Sequence, residues 1–109
     1  MCQYQTLFHN DKIGYVIRCA ECEKIQVGYS NMLLTFGMED FEAFRSWLRK
    51  LMDEHTPPPS DTLRCILIPT PCEGMKLLLS TRELKDFNSM LEKADTELRS
   101  LAMIKLFSQ

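Results

Sequence analysis

Cys19-Ala20-Glu21-Cys22 is the arrangement in this chain best suited to chemistry. Two cysteines separated by two residues, at a turn between strands, direct both sulfurs at one point. That is the geometry of a zinc knuckle, and a structural zinc takes four such ligands. The usual knuckle carries a glycine directly after its second cysteine; here the residue is Glu23. If the first two strands form a hairpin around residues 9–14, Cys2 returns opposite the turn and supplies a third sulfur. Cys65 is the expected fourth, because an internal repeat makes it the counterpart of Cys22. His9 falls at the far end of the hairpin, and Cys72 lies beyond the next turn. Against zinc, there is no second C-x-x-C, and isolated cysteines are commonly buried and inert. A redox role fits less well still, since redox-active C-x-x-C pairs begin a helix whose dipole lowers the thiol pKa. This pair is expected between strands.

The other reactive side chains assemble nothing comparable. His9 and His55 are the only histidines, and each reads as structural or solvated. No serine, histidine and acid combination stands out, and with four glycines no phosphate-cradling loop is written. Glu39, Asp40, Glu42, Glu83, Asp86, Glu92, Asp95 and Glu97 have the spacing of solvated helix faces. Tyr4, Tyr15 and Tyr29 read as strand residues facing the core, and the seven methionines as adaptable packing. The pattern points away from an enzyme, a thiol-dependent one being the remaining catalytic alternative. Net charge is −2, without the basic surplus that nucleic-acid binding draws on. No apolar run approaches the roughly 20 residues of a membrane span, and Met1 to Asn10 lacks a secretion pattern. Five cysteines, an odd number, fit a reducing compartment, and the expected location is the cytoplasm.

The elements that would position these residues repeat. Residues 22–54 and 65–97 align without a gap, and nine of the 33 positions are identical: Cys22, Ile25, Met32, Leu34, Phe44, Ser46, Leu48, Lys50 and Glu54 each meet the same residue 43 further on. The first third predicts strands at Tyr4–Phe8, Gly14–Arg18, Lys24–Tyr29 and Met32–Phe36, joined by short turns that demand antiparallel neighbours. Tyr15, Ile17 and Cys19 share one parity and Val16 and Arg18 the other; Gly28–Asn31 is expected to reverse the chain. Gly37 opens a helix with an apolar stripe at Phe41, Phe44, Leu48 and Leu51, widened by Trp47, and ending near Glu54 before Pro57-Pro58-Pro59. Leu63–Pro69 and Met75–Leu79 then read as strands. Ser80 with Glu83 spells a capping box, and Leu84, Phe87, Leu91, Ala94, Leu98 and Leu101 carry a last helix that reaches Phe107. At about 1.5 Å per residue that helix is about 40 Å long, so its last turns must protrude, bend or pack on another subunit.

The expected fold is α+β, a single domain over 1–109: an antiparallel sheet of about six strands with two helices on one face, in the order ββββα–ββα. Its pseudo-repeat halves are 15–55 and 62–107, with the seam at 56–61. Leu33, Leu67 and Leu78 fall on the sheet face away from the helices, and an apolar outer face is commonly hidden by self-association. Together with the long helix, this predicts a homodimer with Leu33, Leu67 and Leu78 at the interface.

Met1-Cys2-Gln3-Tyr4 with Leu7-Phe8, Gly14 to Cys19 followed by Cys22, Ile25-Gln26, and Asn31 to Phe36 before Phe41 and Phe44 resemble a family of short Bacteroidetes proteins carried as a domain of unknown function. The likeness spans most of the chain and is strongest over its first 45 residues; it implies a small single-domain protein and no catalytic residues. The topology also has some likeness to the ββββα units of the Pur-alpha and Whirly class, though the acidic balance argues against their nucleic-acid binding. The leading functional expectation is a non-enzymatic interaction module acting as a homodimer. The alternative is a small zinc-bearing domain holding its metal through Cys19, Cys22, Cys2 and Cys65.

Overall fold

The computed structural model describes residues 3–56 and 58–107. Four strands, β1 (Tyr4–Asn10), β2 (Gly14–Cys19), β3 (Ile25–Tyr29) and β4 (Met32–Phe36), lead into α1 (Met38–Glu54). After the proline segment come β5 (Ile66–Pro69), β6 (Lys76–Leu79) and α2 (Thr81–Phe107). The expected order of elements is present, and α2 reaches Phe107. The six strands do not form one sheet: β1 to β4 make a four-stranded antiparallel sheet in sequential order, and β5 and β6 pair only with each other. The reason lies in hydrogen bonding: among the described residues β4 ladders with β3 alone and β6 with β5 alone, and the two hairpins share a core rather than a ladder.

Val16, Val27 and Leu34 stand side by side across β2, β3 and β4, all buried. Tyr15, Ile17, Gln26, Leu33 and Thr35 therefore face away from the core. In β1 an extra residue at Leu7 breaks the register between Thr6 and Phe8. This bulge turns both Leu7 and Phe8 inward; Leu7 is buried and Phe8 packs at the core's margin, with the Lys93 ammonium 5.9 Å from its ring centre. The β3–β4 reversal is a two-residue turn at Ser30-Asn31, with Ser30 left-handed at φ 57°. Gly28, expected in that turn, is instead a strand residue beneath the Tyr15 ring.

Both helices close the same core, with Phe41 and Leu48 from α1 and Leu84, Phe87, Met90, Leu91, Ala94 and Leu98 from α2. Trp47, expected to widen the α1 stripe, is exposed. At the offset of 43, β4 and β6 end together, at Phe36 and Leu79, and α1 and α2 begin together, at Met38 and Thr81. The hairpin register does not follow the offset. Leu34 pairs with Val27, whereas Leu77 pairs with Ile68 and not with Thr70, because the β5–β6 loop is longer. The displacement is two residues, so parity is kept and Ile25 and Ile68 both face the core.

Candidate functional site

The backbone between β2 and β3 folds Cys19-Ala20-Glu21-Cys22 into a closed turn. The Cys19 N–H donates to the Lys24 carbonyl at 2.9 Å, and the Glu23 N–H donates to the Cys19 carbonyl at 3.0 Å. The Cys22 N–H points at the Cys19 sulfur, 3.4 Å away. Glu23 takes φ 58°, the left-handed conformation for which a knuckle normally uses glycine. Cys19 shares the outward parity of Tyr15 and Ile17 yet is 1% exposed, because the turn folds back onto its sulfur. Cys22 is exposed and, with Glu23, Lys24, Gly37 and Asp40, lines a depression beside the start of α1.

The other candidate ligands are distributed as follows. Cys2 lies outside the described residues, but Gln3, the next residue, accepts a hydrogen bond from the Ala20 N–H at 2.9 Å. Cys65 is exposed just before β5, its N–H donating to the Leu79 carbonyl at 3.2 Å. Its neighbour Arg64 lines a cleft with Tyr29, Met32 and Leu79, at the end of β4 opposite the Cys19–Cys22 turn. The length of β4, about 16 Å for five residues, separates the two. Sequence equivalence to Cys22 does not bring Cys65 to the turn, since the two occupy different hairpins. Cys72 sits in the β5–β6 loop, its N–H donating to the Thr70 hydroxyl at 3.2 Å. Among the described residues, no three Cys, His, Asp or Glu side chains gather as a metal-binding group. His9 Nε2 lies 3.5 Å from Asp11 at the tip of the first hairpin, and His55 Nε2 lies 3.2 Å from the Thr81 hydroxyl.

The outward faces of the sheets carry the expected leucines. Leu67 and Leu78 are cross-strand partners at 59% and 49% exposure, and Leu33 is at 55%. The cleft holding Met32 and Leu78 lies between the two hairpins. Tyr4 and Tyr15 are exposed rather than in the core; only Tyr29 points inward. Tyr29 stacks on Phe87 with centroids 4.7 Å apart, and its hydroxyl donates to the Glu83 carbonyl at 3.1 Å. Burial, reinforced by the Glu83 and Asp86 charges, pushes its pKa up to about 12. The tail of α2 is also apolar and open, with Met103, Ile104, Leu106 and Phe107 exposed.

Two charged groups depart from the expected solvated faces. Arg45 on α1 is 5% exposed and Asp95 on α2 8%. The guanidinium binds Glu42, reaches Glu92 at 3.0 Å and approaches Asp95 at 3.5 Å, while Arg99 binds Asp95 at 3.0 Å. The hydrogen bond from Arg45 is the main reason the Glu42 carboxyl sits below its usual range. A signal for this clasp stands in the sequence. Arg45 falls between Phe41 and Leu48 on the apolar stripe, Asp95 between Leu91 and Leu98, and the two charges are opposite. Elsewhere, Arg64 grips Glu83 with two 3.0 Å hydrogen bonds.

No curated protein and no solved structure matches the chain. A family model matches residues 1–106, and the chain therefore belongs to a family of unknown function, DUF6686.

Proposed function

We propose that this protein is a non-enzymatic interaction module that works as a homodimer through the outward faces of its two sheets. The observation that carries the proposal is the Leu67–Leu78 pair: two leucines directly opposite each other on the face away from the core, both about half exposed. Leu33 adds a third apolar group on the outward face of the neighbouring hairpin. Fully burying an exposed leucine is worth roughly 1.5–3 kcal/mol, of which about half remains for side chains already half covered, and exposed apolar patches mark interaction sites. A twofold contact uses the same patch on both copies, so three leucines contribute six. The tail of α2 is a second apolar surface available to the same assembly.

Light scattering coupled to gel filtration at micromolar concentration tests this. Wild-type protein is expected at twice the chain mass, and Leu67→Lys with Leu78→Lys at the chain mass with an unchanged circular dichroism spectrum. A monomeric wild type sinks the proposal. A dimer that tolerates both lysines but dissociates when residues 102–109 are removed moves the interface to α2.

A further inference from the structure

We propose that the tail of α2 from each copy covers the outward sheet face of the other, a reciprocal helix-on-sheet contact. This rests on the homodimer proposed above and adds which surfaces meet. It is carried by a change of side along α2. Leu84, Phe87, Leu91, Ala94 and Leu98 face the chain's own core, and Leu101 packs at its margin. The next position at that spacing is Lys105, so the core stripe ends there. Met103, Ile104, Leu106 and Phe107 share a second stripe, displaced about half a turn round the helix axis from the first. These four side chains point away from their own core and are 57–85% exposed. The helix is unbroken to Phe107 and lies on the core side of the sheets. Its tail therefore cannot fold over onto the Leu33, Leu67 and Leu78 of its own chain. Packing the stripe of a helix on the apolar face of a sheet is the ordinary way both are buried.

Area selects a second copy as the occupant. Taking about 200 Å² for a fully exposed large side chain, the three leucines offer roughly 300 Å² and the four tail residues roughly 550 Å². A stable interface takes about 800 Å² from each partner. Neither surface supplies that by itself. Tail and face together reach about 850 Å² per copy, and a twofold axis uses both on each chain.

The test is sedimentation equilibrium on the full chain with two double variants. The face variant carries Leu67→Lys and Leu78→Lys; the tail variant carries Ile104→Lys and Phe107→Lys. Each should weaken dimerisation by more than about 100-fold. An equimolar mixture keeps one intact tail opposite one intact face, and should associate at least about tenfold more tightly than either variant alone. All four replaced side chains are about half exposed or more, so circular dichroism should match wild type. Leu67→Lys and Phe107→Lys as single variants serve where a double variant loses its fold. A tail variant that dimerises like wild type leaves the dimer standing on its sheet faces and overturns the tail contact. A face variant that dimerises like wild type overturns it too, because the tails then meet each other. So does a mixture no tighter than its components. A monomeric wild type overturns the dimer and the contact together, and assigns the tail stripe to a foreign protein or a lipid surface.

Discussion

Two glycines of the four-stranded sheet are constrained in different ways, and the difference can be measured. Gly14 has φ 151°, and a Cβ there would lie 2.0 Å from the Gly28 carbonyl oxygen, which is backbone and cannot move alone. At Gly28 the obstacle is the Tyr15 ring, 2.4 Å from an added Cβ. Tyr15 is exposed, so its ring can swing away. Gly14→Ala is therefore expected to cost about 3 kcal/mol or more and Gly28→Ala about 1 kcal/mol, read from urea unfolding. Equal costs would show that Tyr15 is held as firmly as the backbone. The opposite substitution should help at Glu23 and Ser30, both left-handed at φ 58° and 57°. Changing either to glycine is expected to raise stability by about 0.5–1 kcal/mol, as relief of the left-handed cost slightly exceeds the added chain entropy. A rise in the urea midpoint at constant slope is the check.

The two helices begin with unequal caps. Ser80 accepts from the Glu83 N–H at 3.2 Å, and the Glu83 carboxylate accepts from the Ser80 N–H at 3.0 Å, so the box written in the sequence is closed on both sides. Gly37, at the matching place before α1, makes no side-chain cap. Its backbone, φ −71° and ψ 167°, suits any residue, and nothing lies within 3.9 Å of an added Cβ. Gly37→Ser should stabilise α1 by a few tenths of a kcal/mol, seen as a higher melting temperature. For Glu83 the test is pH. The fork from Arg64 is the main cause that holds its carboxyl below the usual range. The stabilisation is thus complete above the unfolded carboxylate pKa and is lost as pH falls through the depressed folded value. Glu83→Gln should cost about 1 kcal/mol near neutrality, a modest figure because Arg64 is largely exposed. The gap to wild type should close in acid; a gap constant with pH would mean that the cap, and not the charge, matters. The cap and the helix lengths were legible because they depend on residues three and four apart. The bulge at Leu7 and the β5–β6 register were not, because they depend on which distant residue a strand meets.

For the molecule as a whole, the question is what joins two hairpins that share no ladder. Part of the answer was legible: apolar parity left Leu33, Leu67 and Leu78 outward. The Cys19–Cys22 turn was legible from spacing, but the separation of Cys65 from it was not, since a repeat specifies equivalent environments and not proximity. The rest of the answer is the shared core, with the aromatic chain Tyr29–Phe87–Phe44–Phe36 crossing between halves, and the Arg45 clasp between α1 and α2. Hydrophobic packing tolerates small displacements, whereas a buried guanidinium does not, because an uncompensated charge in the interior is costly. Arg45→Ala would leave Asp95, itself nearly buried, with Arg99 as its remaining ion-pair partner among the described residues, and is expected to cost about 3 kcal/mol. If the loss comes from the stranded carboxylate, Asp95→Ala in the same chain should restore part of it, with a coupling of about 1 kcal/mol or more in a double-mutant cycle. Strict additivity would assign the loss to the packing of the Arg45 stem, and the two halves would then be held together by their apolar core alone.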